Sequence, residues 1–290
     1  MRAGSDSLAS WEAAQADLFE AVGRVATHPG FPAASRALAT AMLELFASDP
    51  VLESIFKDAG RYAAAMWGFA LHDQGELTLP RLKAVGVRSG LFSPGRARAL
   101  LQFLEHVGYL ERHRGGGGAD AYVPTPAFLA AWDRQFLGAI KAIRFIAPGI
   151  DPFLDPSQST LRLAFGRIHA QGMLAAMPSA PMVTSFLRVF MHPYAGNAIV
   201  WTLIARGVGP DFPPHRSGPV SVAGLARACG TSRVQVARIF HEAAEEGLAD
   251  LGPDGFVTFH SPTREQLGFL YAVQMVQILA AAAQAASRPR

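Results

Sequence analysis

Cysteine and lysine are almost missing from this chain. The one cysteine, Cys229, excludes an intramolecular disulfide and any cysteine-rich metal cluster, and its thiol suits a reducing cytoplasm. Lysine occurs only at Lys57, Lys83 and Lys141, so arginine supplies 23 of the 26 basic side chains. That bias fits carboxylate or phosphate contacts, and it fits a GC-rich genome equally well. Charged residues make up only 17% of the 290, whereas 50% are hydrophobic, which excludes a disordered tail or a small stapled scaffold. The segment from Met1 to Trp11 lacks a basic-then-apolar export pattern, so the expectation is a cytoplasmic protein.

Catalytic and metal-binding patterns are missing too. His28, His72, His106, His113, His169, His192, His215, His241 and His260 form no pair with the spacing of metal ligands. No Gly-x-Ser-x-Gly elbow occurs, and Gly115 to Gly118 are not followed by the Gly-Lys-Ser/Thr of a phosphate loop. The expectation is a protein that is not an enzyme and needs no cofactor or metal. Gln266 to Ser287 carries no charge over a length that could span a bilayer. Gln274, Gln277 and Gln284 recur there at helical spacing, a polar stripe opposite Phe269, Val276 and Leu279. The stretch reads as a buried or partner-packing helix, with no membrane partner.

What the chain does contain is a duplication. Ser93 to Gly108 and Ser232 to Gly247 have the same length. Ala97, Leu100, Leu101 and Leu104 in the first, and Val236, Ile239, Phe240 and Ala243 in the second, follow the i, i+3, i+4, i+7 spacing of one buried helix face. Each run opens on a Ser suited to N-capping and closes on a Gly suited to the left-handed C-cap. Each is followed by two short strand patterns around a Gly-rich turn: Tyr109 to His113 with Ala121 to Val123, and Leu248 to Leu251 with Phe256 to Phe259. Thr125-Pro126 and Ser261-Pro262 then open a further helix. Upstream, Pro50 to Phe56 resembles Pro181 to Phe186, and a helix with Trp67 answers one with Trp201.

The breaks in helical periodicity divide the chain into an N-terminal helical segment (1–60), a first unit with its closing helix (61–146), a linker and helical segment (147–193), and a second unit with a C-terminal helix (194–290). The junction falls at Ala147 to Pro156, rich in Pro, Gly and Asp, and Gly207 to Pro219 reads as a surface loop, ordered or flexible. Trp67 and Trp201, with Met66, Phe69 and Leu203, are read either as the lining of an effector pocket or as plain core.

In the second unit, Ala226 is small enough to let two helices cross, Gly230 supplies a left-handed turn, and Val236 and Ile239 pin the following helix. This resembles the bacterial helix-turn-helix pattern. In the first unit, Leu79 to Val85 can form the first helix, but Gly86 to Phe92 reads as a longer turn. The two units together resemble winged helix-turn-helix transcriptional regulators of the broad MarR-like group, in a tandem single-chain form. The implied fold is mainly α with small β-hairpin wings (α+β), an internal pseudo-two-fold duplication embedded in helical segments.

The resemblance implies a bacterial, cytoplasmic, nucleoid-associated transcription regulator that reads double-stranded DNA through helices 93–107 and 232–246. A reading helix presents the face opposite its core positions. That face carries Val234, Arg238 and His241, flanked by Arg233 and capped by Ser232, in the second unit, and Gly95, Ala99 and Gln102, flanked by Arg96 and Arg98, in the first. Arginines suit guanine edges or phosphates, and Val234 suits a thymine methyl group. Arg112, His113 and Arg114 form the expected wing tip, and the caps Thr78 and Ser221 can donate to phosphate as well as to their own helices. Seven basic residues lie between Arg81 and Arg114 against Glu105 and Glu111, and no acid lies between His215 and His241.

Two unlike reading heads on one chain imply a monomeric pseudo-dimer with an asymmetric site, its halves about 10 bp apart, or a homodimer through the terminal helices. Further partners under this reading are RNA polymerase or other transcription proteins. The competing readings are a winged-helix protein-interaction module without DNA binding and a tandem winged-helix replication initiator.

Overall fold

The computed structural model describes residues 11, 17–114, 119–176 and 184–287. The chain is mostly helical, with two small antiparallel sheets. Helix α1 (Leu18–Thr27) is capped by Asp17, α3 (Pro50–Phe56) by Asp49 and α4 (Ala59–Asp73) by Asp58; each carboxylate accepts an amide N–H that a helix start leaves open. Helix α2 (Phe31–Ser48) lies between α1 and α3 in sequence. Then come α5 (Leu79–Ser89), α6 (Pro94–His106), β1 (Leu110–His113), β2 (Ala121–Pro124) and α7 (Pro126–Ile143).

Tight 3-10 turns over Pro148–Leu154 and Pro156–Gln158 occupy the expected junction. Beyond them lie α8 (Ser159–Ala175), a π turn at Leu187–Met191, α9 (Gly196–Ala205), β3 (Gly207–Val208), β4 (Arg216–Ser217), α10 (Val222–Ala228), α11 (Arg233–Glu245), β5 (Ala249–Leu251), β6 (Val257–Phe259) and α12 (Ser261–Ser287). The order of α4, α5, α6, β1, β2 and α7 recurs in α9, α10, α11, β5, β6 and α12.

The two halves share a core. Helix α2 packs against both α7 and α9, α8 against both α4 and α12, and α1 against α12. An aromatic chain from Phe56 through Trp132 to Phe136 and Phe165 runs through it, with ring centroids 5.6 to 6.0 Å apart. Helix α12 is the one helix among the described residues long and apolar enough to cross a membrane. In this fold it is a core helix, with Met275, Val276, Ile278 and Leu279 buried. Of the expected apolar face Val276 and Leu279 are buried but Phe269 is 43% exposed, and Gln274, Gln277 and Gln284 of the polar stripe are half-buried.

The first hairpin pairs Leu110 with Pro124 through His113 with Ala121. In the second half, β4 adds to β6, giving the order β3-β4-β6-β5. The first half keeps only a trace of such an edge, a bridge from Thr78 to Ala121 and a 2.9 Å bond from the Tyr122 amide to the Leu77 carbonyl.

Helix α5 is longer than its sequence suggests. The expected turn at Gly86 to Phe92 is helical through Ser89, whose hydroxyl returns to the Gly86 carbonyl at 3.0 Å. Phe92 packs directly on Gly86, where a side chain would leave it no room. Gly90 then closes the helix in the left-handed region at φ 70°. The turn is therefore Gly90 to Ser93, as short as the one from Cys229 to Ser232.

The segment 207–219 is ordered. Arg36 of α2 donates to the carbonyls of Gly209, Pro210 and Asp211 at 2.5 to 3.1 Å, and Phe212 inserts between Phe31 and Tyr271 at 5.2 and 4.9 Å. Gly115 to Gly118, Pro181 to Val183 and most of the segment from Met1 to Trp11 lie outside the described residues.

Candidate nucleic-acid interface

The local signals around α6 and α11 act as their residue types require. Ser93 accepts from the Arg96 amide at 3.3 Å and Ser232 from the Gln235 amide at 3.1 Å. Thr78 and Ser221 cap α5 and α10 in the same way, at 3.3 and 3.0 Å. Each hydroxyl oxygen is thereby engaged by its own helix, which is the structural half of the role read for these caps. All eight apolar positions of the two duplicated helices are buried. Gly230 stands at φ 56° and Gly247 at φ 63°, both in the left-handed region.

The opposite faces are open. On α11, Arg233, Val234, Arg238 and His241 are exposed, Val234 at 78%. Exposure alone does not single it out, since Phe19 is 81% and Val87 61% exposed; its place beside Arg233 and Arg238 on this face makes it a candidate contact. On α6 the exposed face is Gly95, Arg98, Ala99 and Gln102.

The arginines fall into two groups. Arg98 and Arg233 have no acidic partner within 4.0 Å among the described residues. Others are engaged. Arg112 lies 3.4 Å from Glu105 and 3.7 Å from Asp120; Arg238 bonds Gln235 at 2.8 Å and lies 3.8 Å from Glu242; His241 lies 3.4 Å from Glu245. These are exposed pairs, weak in water and readily exchanged for phosphate. Arg114 is exposed at the base of the wing tip. Arg216, within the acid-poor segment, pairs with Asp254 across the second hairpin.

Arg96, read as a groove contact, is exposed on the first turn of α6 and also has a neighbour within the fold. Its guanidinium is directed at the buried carboxylate of Asp58, 4.0 Å away, and its charge helps to hold His192 below the usual histidine range, an effect led by burial. Asp58 also meets Arg61 at 3.6 Å, and Arg61 in turn lies 5.8 Å from the Tyr194 ring. Lys57 donates to the Tyr194 hydroxyl at 2.9 Å, while the Tyr194 carbonyl accepts from Gln235 of α11 at 3.4 Å. A continuous polar seam thus joins the first turn of α6 to the first turn of α11. Sequence spacing gave no sign of it, because its members come from residues 53 to 61, 96, 194 and 235.

Cys229 is buried beside Thr202, and burial pushes its thiol up to about 11, so a small core side chain is its role. Of the five residues read as a pocket lining, Trp201 lines a cavity. Trp67 packs on Phe92 at 5.9 Å and Phe69 on Phe128 at 6.0 Å.

No family model, no curated protein and no solved structure matches the chain.

Proposed function

We propose that the chain is a double-stranded DNA-binding transcriptional regulator built from two tandem winged helix-turn-helix units, with α6 and α11 as its unlike reading helices. The observation that carries this reading is α11: a fully buried apolar stripe, a Gly-turned approach from α10, a hairpin behind it, and an exposed opposite face of Arg233, Val234, Arg238 and His241. Arg98 and Gln102 on α6 are the matching contacts of the first unit, with Arg112 and Arg114 on the wing at the phosphates. Arg96, exposed beside them and paired with Asp58 only at 4.0 Å, stays in the contact set. The seam draws the first turns of both helices toward one corner, which favours one compact asymmetric site.

The test is selection of binding duplexes from a random pool by the full chain, followed by titration at two salt concentrations. One enriched asymmetric sequence is expected. Arg233→Ala/Arg238→Ala weakens it about 10- to 100-fold and relaxes base preference, and the salt dependence falls by roughly one unit of slope for each phosphate no longer neutralised. If nothing is enriched and the double variant binds duplex DNA like the wild type, the DNA reading is wrong, and a protein-interaction module becomes the better account.

A further inference from the structure

A cavity of about 250 Å³ lies where α4, the π turn, α9 and α12 meet. Its walls are mostly apolar, and among the described residues no Asp, Glu, Lys, Arg or His lines it. The polar lining consists of Tyr62, Asn197, Tyr271, Gln274 and Gln277, beside the indole of Trp201. Two of these leave a hydrogen-bonding atom unused: Asn197 and Tyr271 are 2% and 5% exposed, and neither Asn197 Oδ1 nor Tyr271 Oη has a partner among the described residues. Buried polar atoms are seldom left so, because the forfeited hydration is not returned. An apolar chamber with a few polar atoms in its wall is the general form of a small-molecule site. Scaled from a void of about 150 Å³ that holds benzene, the volume suits roughly ten non-hydrogen atoms.

The cavity is also wired to α11. Leu187 and Met191 of the π turn form part of its wall. The same turn region grips the far end of α11, where Ser185 donates to Glu246 at 2.8 Å and Arg188 pairs with it at 2.5 Å. Three residues past the turn, the Tyr194 carbonyl accepts from Gln235 at the near end. Ala195 follows in the left-handed region at φ 67°, a conformation that a non-glycine residue holds only when its surroundings enforce it. Displacing Leu187 or Met191 therefore moves both anchors of α11 together.

We propose that this cavity binds a small, uncharged, largely apolar molecule carrying a hydroxyl or carboxamide, and that its occupancy sets the placement of α11. The proposal holds whatever α11 touches. It is tested on the ¹⁵N-labelled full chain by titrating benzamide, 2-phenylethanol and, as a charged counterpart, benzoate, and following amide resonances. The expected result is saturable shifts at Asn197, Trp201 and Tyr271 with one or both neutral probes, accompanied by shifts at Tyr194 and Gln235, and none with benzoate at equal concentration. Val273→Phe, which fills the cavity wall, abolishes the saturation. Asn197→Leu, which keeps the volume and removes the unpartnered oxygen, folds and weakens benzamide about tenfold.

The site is refuted if neither neutral probe saturates, if benzoate binds as well, or if benzamide binds Asn197→Leu as tightly as the wild type. Shifts confined to the cavity, with Tyr194 and Gln235 unmoved, overturn the link to α11.

Discussion

Arg96 and Gln235 occupy the same place in their helices, the third position after the capping serine, and both turn toward one polar seam: Arg96 faces Asp58 at 4.0 Å and Gln235 meets the Tyr194 carbonyl at 3.4 Å. The duplication therefore repeats a tertiary contact as well as a helix. Each half anchors the start of its second helix on the α3–α4 corner or on the residue bonded to that corner.

Lys57 and Tyr194 hold the middle of the seam. Burial works against the Lys57 ammonium, but its hydrogen bonds to Tyr194 and Glu53 and their charges outweigh this and hold its pKa above the ordinary 10.5. The folded state thus keeps this proton more tightly than the unfolded chain does. Its stabilisation is complete below the unfolded pKa and is lost as pH rises through the folded one. Tyr194→Phe is expected to lower stability by about 1 kcal/mol at pH 7. In urea titrations the gap from wild type narrows toward alkaline pH, and a gap that is constant with pH would mean the bond to Lys57 is not its source.

Gly230 and Gly247 separate backbone strain from crowding. Both have positive φ, but a Cβ on Gly247 meets nothing within 4 Å, whereas one on Gly230 falls 2.5 Å from Glu53 Oε1 and 3.1 Å from Lys57 Nζ. Gly247→Ala is expected to cost about 1 kcal/mol, the strain alone. Gly230→Ala costs more, because the Glu53–Lys57 pair must also give way to the new methyl group. Denaturation midpoints of the two variants check the order, and equal losses would remove α3 from the account.

Arg162 ties the inter-half turns to the core. It is 4% exposed, pairs with Asp133 through Nε at 2.7 Å and Nη2 at 3.2 Å, and donates to the carbonyls of Phe153 and Asp155 at 3.1 and 2.7 Å. Arg162→Met strands those acceptors and is expected to cost about 3 kcal/mol. Arg162→Lys restores little, since an ammonium cannot reproduce the two-pronged pairing and the carbonyl bonds together. Recovery of the wild-type melting temperature by Lys would show that charge alone matters here.

His169 gives the fold an acid sensitivity. Burial lowers its pKa to about 4 against the smaller opposing pull of the Gln277 backbone carbonyl, and the ring stacks on Phe165 at 5.7 Å. With a folded pKa below the unfolded 6.5, the unfolded chain binds the proton first. Stability is complete above pH 6.5 and falls as pH drops toward 4. His72 and His192, lowered chiefly by burial, act in the same direction. His169→Leu is expected to flatten the loss of stability between pH 7 and pH 4.5, read from urea midpoints at a series of pH values; an unchanged slope would place the acid sensitivity elsewhere.

The sequence by itself determined the elements whose signals are local. Serine caps, the i, i+3, i+4, i+7 stripes and the turn glycines each act within one helical turn of their own residue, so Ser93, Ser232, Gly108, Gly230 and Gly247 behave as their types require. The duplication was legible for the same reason. What depended on distant partners was not. Helix α5 runs on to Ser89 with Phe92 packed back on Gly86, Arg96 comes within 4.0 Å of the buried Asp58, and Gln274 and Gln277 of α12 face a cavity that they line together with α9 and the π turn. Local backbone energetics choose the helices, but only packing between separate elements decides which side chains remain free to touch something else.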